Sequence, residues 1–286
     1  LFENKYSKFL NKKIITNNFK SNFDKEGLQI IVNSEIQFKD KSTRQSLGSI
    51  ININDNLPRN GSKYKYQYPI AMKFFNYSTL RKKLNEKNLN FFWIGNIWNN
   101  CNLYNTSLCF DNQTYNKNFY HFRTLDYYLE ASYFGNIIFK IFKEKFHYNE
   151  IHKSNSTLTN FINNSYSKNL DLINKKNNFF LIHDYGAHPP FIYDQECNYN
   201  FYQYDSKEGY ANSYVCNLKE LLSFIKFINH KDPDSFIIVT GDHGYFQNRN
   251  NILRMIKMNN CDYDKTKISQ DFSYLISRVI SCSSSL

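Results

Sequence analysis

Glycine and proline are scarce in this chain, 9 and 5 among 286 residues, and nowhere do they gather with serine into a linker. With no such break and no internal repeat, residues 1–286 are expected to form one large domain that buries its own core. Long apolar runs are missing too. No stretch approaches the ~20 apolar residues of a bilayer-spanning helix, and no charged-then-apolar leader opens the sequence. Cysteine occurs at 101, 109, 197, 216, 261 and 282, but never as a CxxC pair or in another zinc-knuckle spacing. Structural zinc held through sulfur is therefore not expected. Cys101 and Cys109 close a short Asn-rich loop and could pair in an oxidising compartment, an unpaired buried thiol being the other reading. A long basic arm is also absent. The net charge is +11, yet its lysines and arginines lie in short clusters such as Lys12-Lys13, Arg81-Lys82-Lys83 and Lys175-Lys176. With 23 Tyr, 26 Phe and abundant Asn and Lys, the usage follows AT-rich codons. The charge then says little about partners, and no nucleic acid is expected. Asn-x-Ser/Thr triplets are what an Asn-rich chain generates by chance and are assigned no glycan.

What is present is an alternation of short apolar runs with longer amphipathic ones. Residues 28–32, 91–95, 179–183 and 236–240 each read as a strand buried on both faces. Residues 207–229 place Tyr210, Tyr214, Leu218, Leu221, Leu222, Ile225 and Ile228 three or four apart, one apolar face of a helix. Residues 125–145 and 154–175 also read as helices, and 71–87 more weakly, with Leu80 and Leu84 on one side. Such alternation predicts an α/β fold with a mainly parallel sheet covered by helices on both faces. The tail from 261 to 286 is too weakly patterned to assign.

Chemistry concentrates where two of these strands end. Phe236 to Val239 run into Thr240-Gly241-Asp242-His243-Gly244, an acid and an imidazole at a strand's mouth. Open α/β sheets bind ligands outside the carboxyl ends of their strands, and such a pair offers oxygen and nitrogen to one divalent cation. The strand 179–183 leads into His183-Asp184-Tyr185-Gly186-Ala187-His188-Pro189-Pro190, where the prolines would hold the His188 imidazole in one orientation. Upstream, Ser42-Thr43-Arg44-Gln45-Ser46-Leu47-Gly48-Ser49 sets hydroxyls at the start of a candidate helix. Ser42 or Thr43 could simply cap it. Alternatively Thr43 is a nucleophile, with Arg44 and the helix N-terminus favouring an anionic substrate.

Taken together and in this order, the three segments resemble the alkaline phosphatase superfamily, in particular its sulfatase-like branch with the phosphoethanolamine and phosphoglycerol transferases. The stretch 43–49 is similar to the family's nucleophile segment, Ala187-His188-Pro189-Pro190 to its mid-chain His-Pro segment, and 241–244 to its Gly-Asp-His-Gly metal segment. Trp93-Ile94-Gly95-Asn96-Ile97-Trp98 is similar to the strand that comes after the nucleophile helix, although core packing is the simpler role for Trp93. The resemblance spans roughly residues 20–260. The family opens with a strand ending in a further acidic ligand, and residues 1–40 resemble the stretch just beyond that strand. The expectation is a chain truncated at its N-terminus, with poor metal affinity for want of a third protein ligand.

The resemblance implies a metal-dependent hydrolase or transferase acting on phosphate or sulfate esters. Thr43 would attack in line, with Ser42 as the fallback one residue earlier. Asp242 and His243 would hold a divalent metal, zinc first, with manganese or calcium as alternatives, while His188 and Arg44 stabilise charge on the ester oxygens. An unmodified Thr43 favours phosphodiesters or phospholipid-derived donors, so a membrane lipid is a candidate partner. Relatives of the transferase type imply the periplasmic or extracellular face of the membrane. A different class stands beside this: a non-catalytic binding module on the same scaffold with an incomplete metal site. A third reading is a basic protein that binds anionic surfaces through charge alone.

Overall fold

The computed structural model describes residues 18–31, 43–53, 79–95, 108–111, 157–166, 177–184, 191, 193–198, 207–241, 253–264, 267 and 272–282. Their order is α1 (Phe19–Lys25), β1 (Gln29–Ile30), α2 (Thr43–Asn52), α3 (Thr79–Glu86), β2 (Asn90–Gly95), β3 (Leu108–Asp111) and α4 (Thr157–Asn160). A π-helical turn (Phe161–Tyr166) extends α4, followed by β4 (Asn178–His183), α5 (Lys207–Lys231), β5 (Ile237–Thr240), β6 (Arg254–Lys257) and α6 (Phe272–Cys282). Helix and strand are mixed, as expected, in sheets of few strands. One described sheet, in the order β3-β2-β4, is parallel; the other, β1-β6-β5, is antiparallel. The helix expected over 125–145 lies outside the described residues.

Two helix-to-strand turns share one device. Gly27, at φ 79°, lets the amides of Gly27 and Leu28 return to the carbonyls of Asp24 and Phe23 at the end of α1. Asn88, at φ 54°, does the same after α3, with Asn88 and Leu89 donating to Asn85 and Leu84. Glycine and asparagine tolerate that left-handed geometry, and in each case the next residue is a buried leucine that pins the strand to the helix it leaves.

Strand burial follows sheet position. Phe91, Phe92, Trp93 and Ile94 of the central strand β2 are all buried, as is every residue of the central strand β6. The edge strands β4 and β5, expected to be buried on both faces, are half-buried throughout, because each is covered on only one flank within its own sheet. Burial is what holds these sheets. A fully buried large apolar side chain contributes about 2 kcal/mol, against about 1 net for a typical hydrogen bond.

Two packing layers run through both sheets. On one side, Leu47, Ile50 and Ile51 of α2, Leu80 and Leu84 of α3 and Leu275, Ile276, Val279 and Ile280 of α6 meet Phe91, Trp93 and Ile256, with Phe179, Leu181 and Ile238 against them. On the other side, α5 packs Val215, Leu218 and Ile225 against Met255, Ile237 and Val239. The same helix sets Phe224, Leu221 and Ile228 among Ile94, Phe180, Ile182 and Phe161. Rather than presenting one apolar face, α5 is buried all round from Tyr210 to Ser213. A third cluster, Phe191 against Tyr210 and Ala211, adds to the burial there.

Two disulfides join cysteines for which the sequence pointed to no partner. Cys197 joins Cys216 of α5, and Cys261 joins Cys282 of α6, with Cα separations of 5.5 and 5.8 Å. The second fixes part of the tail left unassigned by its sequence. Cys101 lies outside the described residues.

Candidate functional site

Strand phase decides which way each end residue faces. In β4, Phe179 and Leu181 join the layer with α2, α3 and α6, so the period of two turns His183 to that side. Phe180 and Ile182 face α5, and Asp184, next after the strand, follows them: Asn217 of α5 donates from Nδ2 to Asp184 Oδ2 at 2.5 Å. In β5, Ile238 faces the α2 side while Ile237 and Val239 face α5, which places Thr240 on the α2 side. Arg254 pairs in register with Thr240 and shares the side of Ile256, again that of α2. Beyond this pair the Gly241 amide donates to the Leu253 carbonyl at 3.0 Å, carrying the ladder to the residue before Asp242.

Contacts along α5 orient the two strands. Its Asn217 reaches the carboxyl end of β4, whereas Phe224 packs with Phe161, which in turn meets Phe180 nearer that strand's start. At its far end Asn229 accepts from Lys257 Nζ at 2.7 Å, and Lys257 is paired with Ile237, the first residue of β5. The helix therefore runs antiparallel to both strands, and β4 and β5 deliver the chain to the same end. A short clamp fixes the helix sideways: Glu220 Oε1 accepts from the Thr159 amide and hydroxyl at 3.0 and 2.7 Å.

The segment after β4 is anchored to α5 at further points. Phe191 is fully buried against Tyr210. Asp194 Oδ1 accepts from the amides of Glu196 and Asn198 at 3.0 and 2.8 Å, closing a turn that brings Cys197 to Cys216. Burial, reinforced by Tyr210, pushes the Tyr214 phenol far above its ordinary value, so it stays a neutral hydroxyl at any physiological pH.

Of the residues singled out from sequence, Asp242, His243 and His188 lie outside the described residues, as does Ser42. Thr43 and Arg44 open helix α2, as expected for a helix start, and α2 packs on the side of the sheets to which His183, Thr240 and Arg254 turn. Among the described residues no group of three His, Cys, Asp or Glu is placed to hold a metal. Sequence reasoning missed Asn217, whose role depends on helix phase, and Arg254. The one signal for Arg254 was a charge set between apolar neighbours in Leu253-Arg254-Met255-Ile256. No family model matches this chain, and neither the curated proteins nor the solved structures contain a significant match to it.

Proposed function

We propose that the protein is a metal-dependent hydrolase or transferase of phosphate or sulfate esters, built on a mainly parallel sheet covered on both faces. The observation that carries this reading is the common direction of β4 and β5, which brings the His183-Asp184 and Thr240-Gly241 strand ends to one end of α5. That the two sheets share a packing layer on each side supports reading them as parts of one core.

Asp242 and His243 would hold the metal. Their carboxylate and imidazole suit zinc, with manganese or calcium as alternatives. Bound there, the metal would lower a hydroxyl's pKa and polarise the ester. Thr43 attacks the ester in line from the first turn of α2, and His188 and Arg44 stabilise charge on its non-bridging oxygens. That attack breaks the ester's bond to its alcohol, which leaves with a proton as Thr43 loses its own, and the phosphorylated or sulfated Thr43 then passes its group to water or to an acceptor hydroxyl. The two disulfides support an oxidising compartment, in keeping with the periplasmic or extracellular face of a membrane and a phospholipid-derived donor. Among the described residues no helix is long and apolar enough to cross that membrane.

Elemental analysis of the purified protein tests the reading. Under equal metal loading, more zinc or manganese is expected on the wild-type chain than on the Asp242→Ala/His243→Ala double variant, together with turnover of phosphate or sulfate esters that Thr43→Ala abolishes. Equal metal content in the two proteins, or none in either, would refute the site and favour a binding module.

A further inference from the structure

The two disulfides differ in their surroundings. Cys261 is buried in the apolar layer shared by α2, α3 and α6, and the half-buried Cys282 packs against the same layer. Cys197–Cys216 is divided between core and surface. Cys216 is 7% exposed on α5, whereas Cys197 is half-buried in the Asp194 turn, between the exposed Glu196 and Asn198. A cation stands beside the accessible sulfur. Lys219, three residues after Cys216 and so on the same side of α5, brings Nζ to 3.7 Å from Cys197 Sγ.

Thiol–disulfide exchange begins when a thiolate reaches one sulfur of the bridge, and its rate depends on access and on the charge around that sulfur. Burial closes Cys216 to attack. Cys197 can be reached, and the Lys219 ammonium attracts an incoming anion. The leaving sulfur has a partner in place: Cys216 Sγ lies 3.8 Å from the Asp194 carbonyl oxygen, which accepts from the thiol once it is protonated. We infer that Cys197 is a site of reversible modification by an anionic low-molecular-weight thiol of the glutathione class. The thiolate forms a new S–S bond to Cys197, the Cys197–Cys216 bond breaks, and its electron pair leaves on Cys216 Sγ, which takes a proton from water. A second thiol then displaces Cys197 and carries off the first as a symmetrical disulfide, so two thiols supply the two electrons. Opening cuts the covalent tie between the segment after β4 and α5. The Phe191–Tyr210 contact and a hydrogen bond from Gln195 to Glu208 of α5 remain.

Incubating the oxidised chain with reduced glutathione, quenching with N-ethylmaleimide and reading the peptides by mass spectrometry tests this. The Cys197–Cys216 bridge should open before Cys261–Cys282, and the trapped intermediate should carry glutathione on Cys197 and maleimide on Cys216. Lys219→Met should slow the opening about threefold at low salt and less at high salt, and Lys219→Arg should restore it. Resistance of both bridges, equal rates for the two, glutathione on Cys216, or a rate that Lys219→Met leaves unchanged each overturns the inference. If Lys219→Met does not fold, the wild-type chain decides. Relative to their rates on a small model disulfide, glutathione should open the bridge faster than the cationic thiol cysteamine, and equal relative rates overturn the assignment.

Discussion

Lys257 shows how a single buried charge sets a pH dependence. Burial lowers its pKa below the ordinary 10.5, and the nearby Asp232, Asp234 and Glu26 oppose the shift without cancelling it. The folded chain therefore holds this proton less tightly than the unfolded one. Stability should rise with pH in the window between the lowered value and about 10.5, where the unfolded state binds more protons, and should be reduced by a constant amount below it. Lys257→Met removes the rise. Urea unfolding of both proteins at stepped alkaline pH checks this, and parallel stability curves would contradict it. Lys257 and Arg254 were not singled out from sequence, because a lysine or arginine between apolar residues looks the same whether its partners lie in solvent or across a sheet. Asp242 and His243 stood out in the sequence for the opposite reason, an acid and an imidazole between glycines directly after an apolar run.

The elements that could be read were those with a clean period. Helix α5 was expected over 207–229 and runs Lys207–Lys231, and β2, β4 and β5 fall within a residue of the expected strands, since apolar runs bounded by polar residues need no tertiary information. Strands β3 and β6 were missed. Leu108–Asp111 and Arg254–Lys257 are four residues each, and β6 has charges at both ends, too short a pattern to show a period. The disulfides were out of reach because pairing depends on where helices bring the sulfurs, and Cys216 is placed by the phase of α5 alone. Cys197–Cys216 encloses a loop with a sequence separation of 19 residues, so the Cys197→Ser/Cys216→Ser double variant should lose about 3 kcal/mol. Chemical denaturation of the oxidised wild type against this variant measures the difference, and a change near zero would mean that Phe191 and the Asp194 turn hold the segment unaided.

At the scale of the molecule, α2, α3 and α6 and the two sheets share one layer of side chains, and α5 spans both sheets on the other. Separate melting of the sheets would expose apolar surface that both depend on. Urea transitions followed by tryptophan fluorescence, to which the buried Trp93 contributes, and by far-ultraviolet circular dichroism should therefore coincide; resolved midpoints would contradict a shared core. The sheet order β1-β6-β5 has a further consequence for how the protein is made. The central strand is the last of the six described strands to be synthesised, and β1, far upstream, has its described pairing with that strand alone. The antiparallel sheet must then close after translation has passed Lys257, through contacts of very long sequence separation, which is slow. Until then β1 and β5 are open edges on a nascent chain, exposed to pairing with other chains. Newly made protein should accordingly need shielding until β6 is in place, and a polypeptide ending before Arg254 should aggregate.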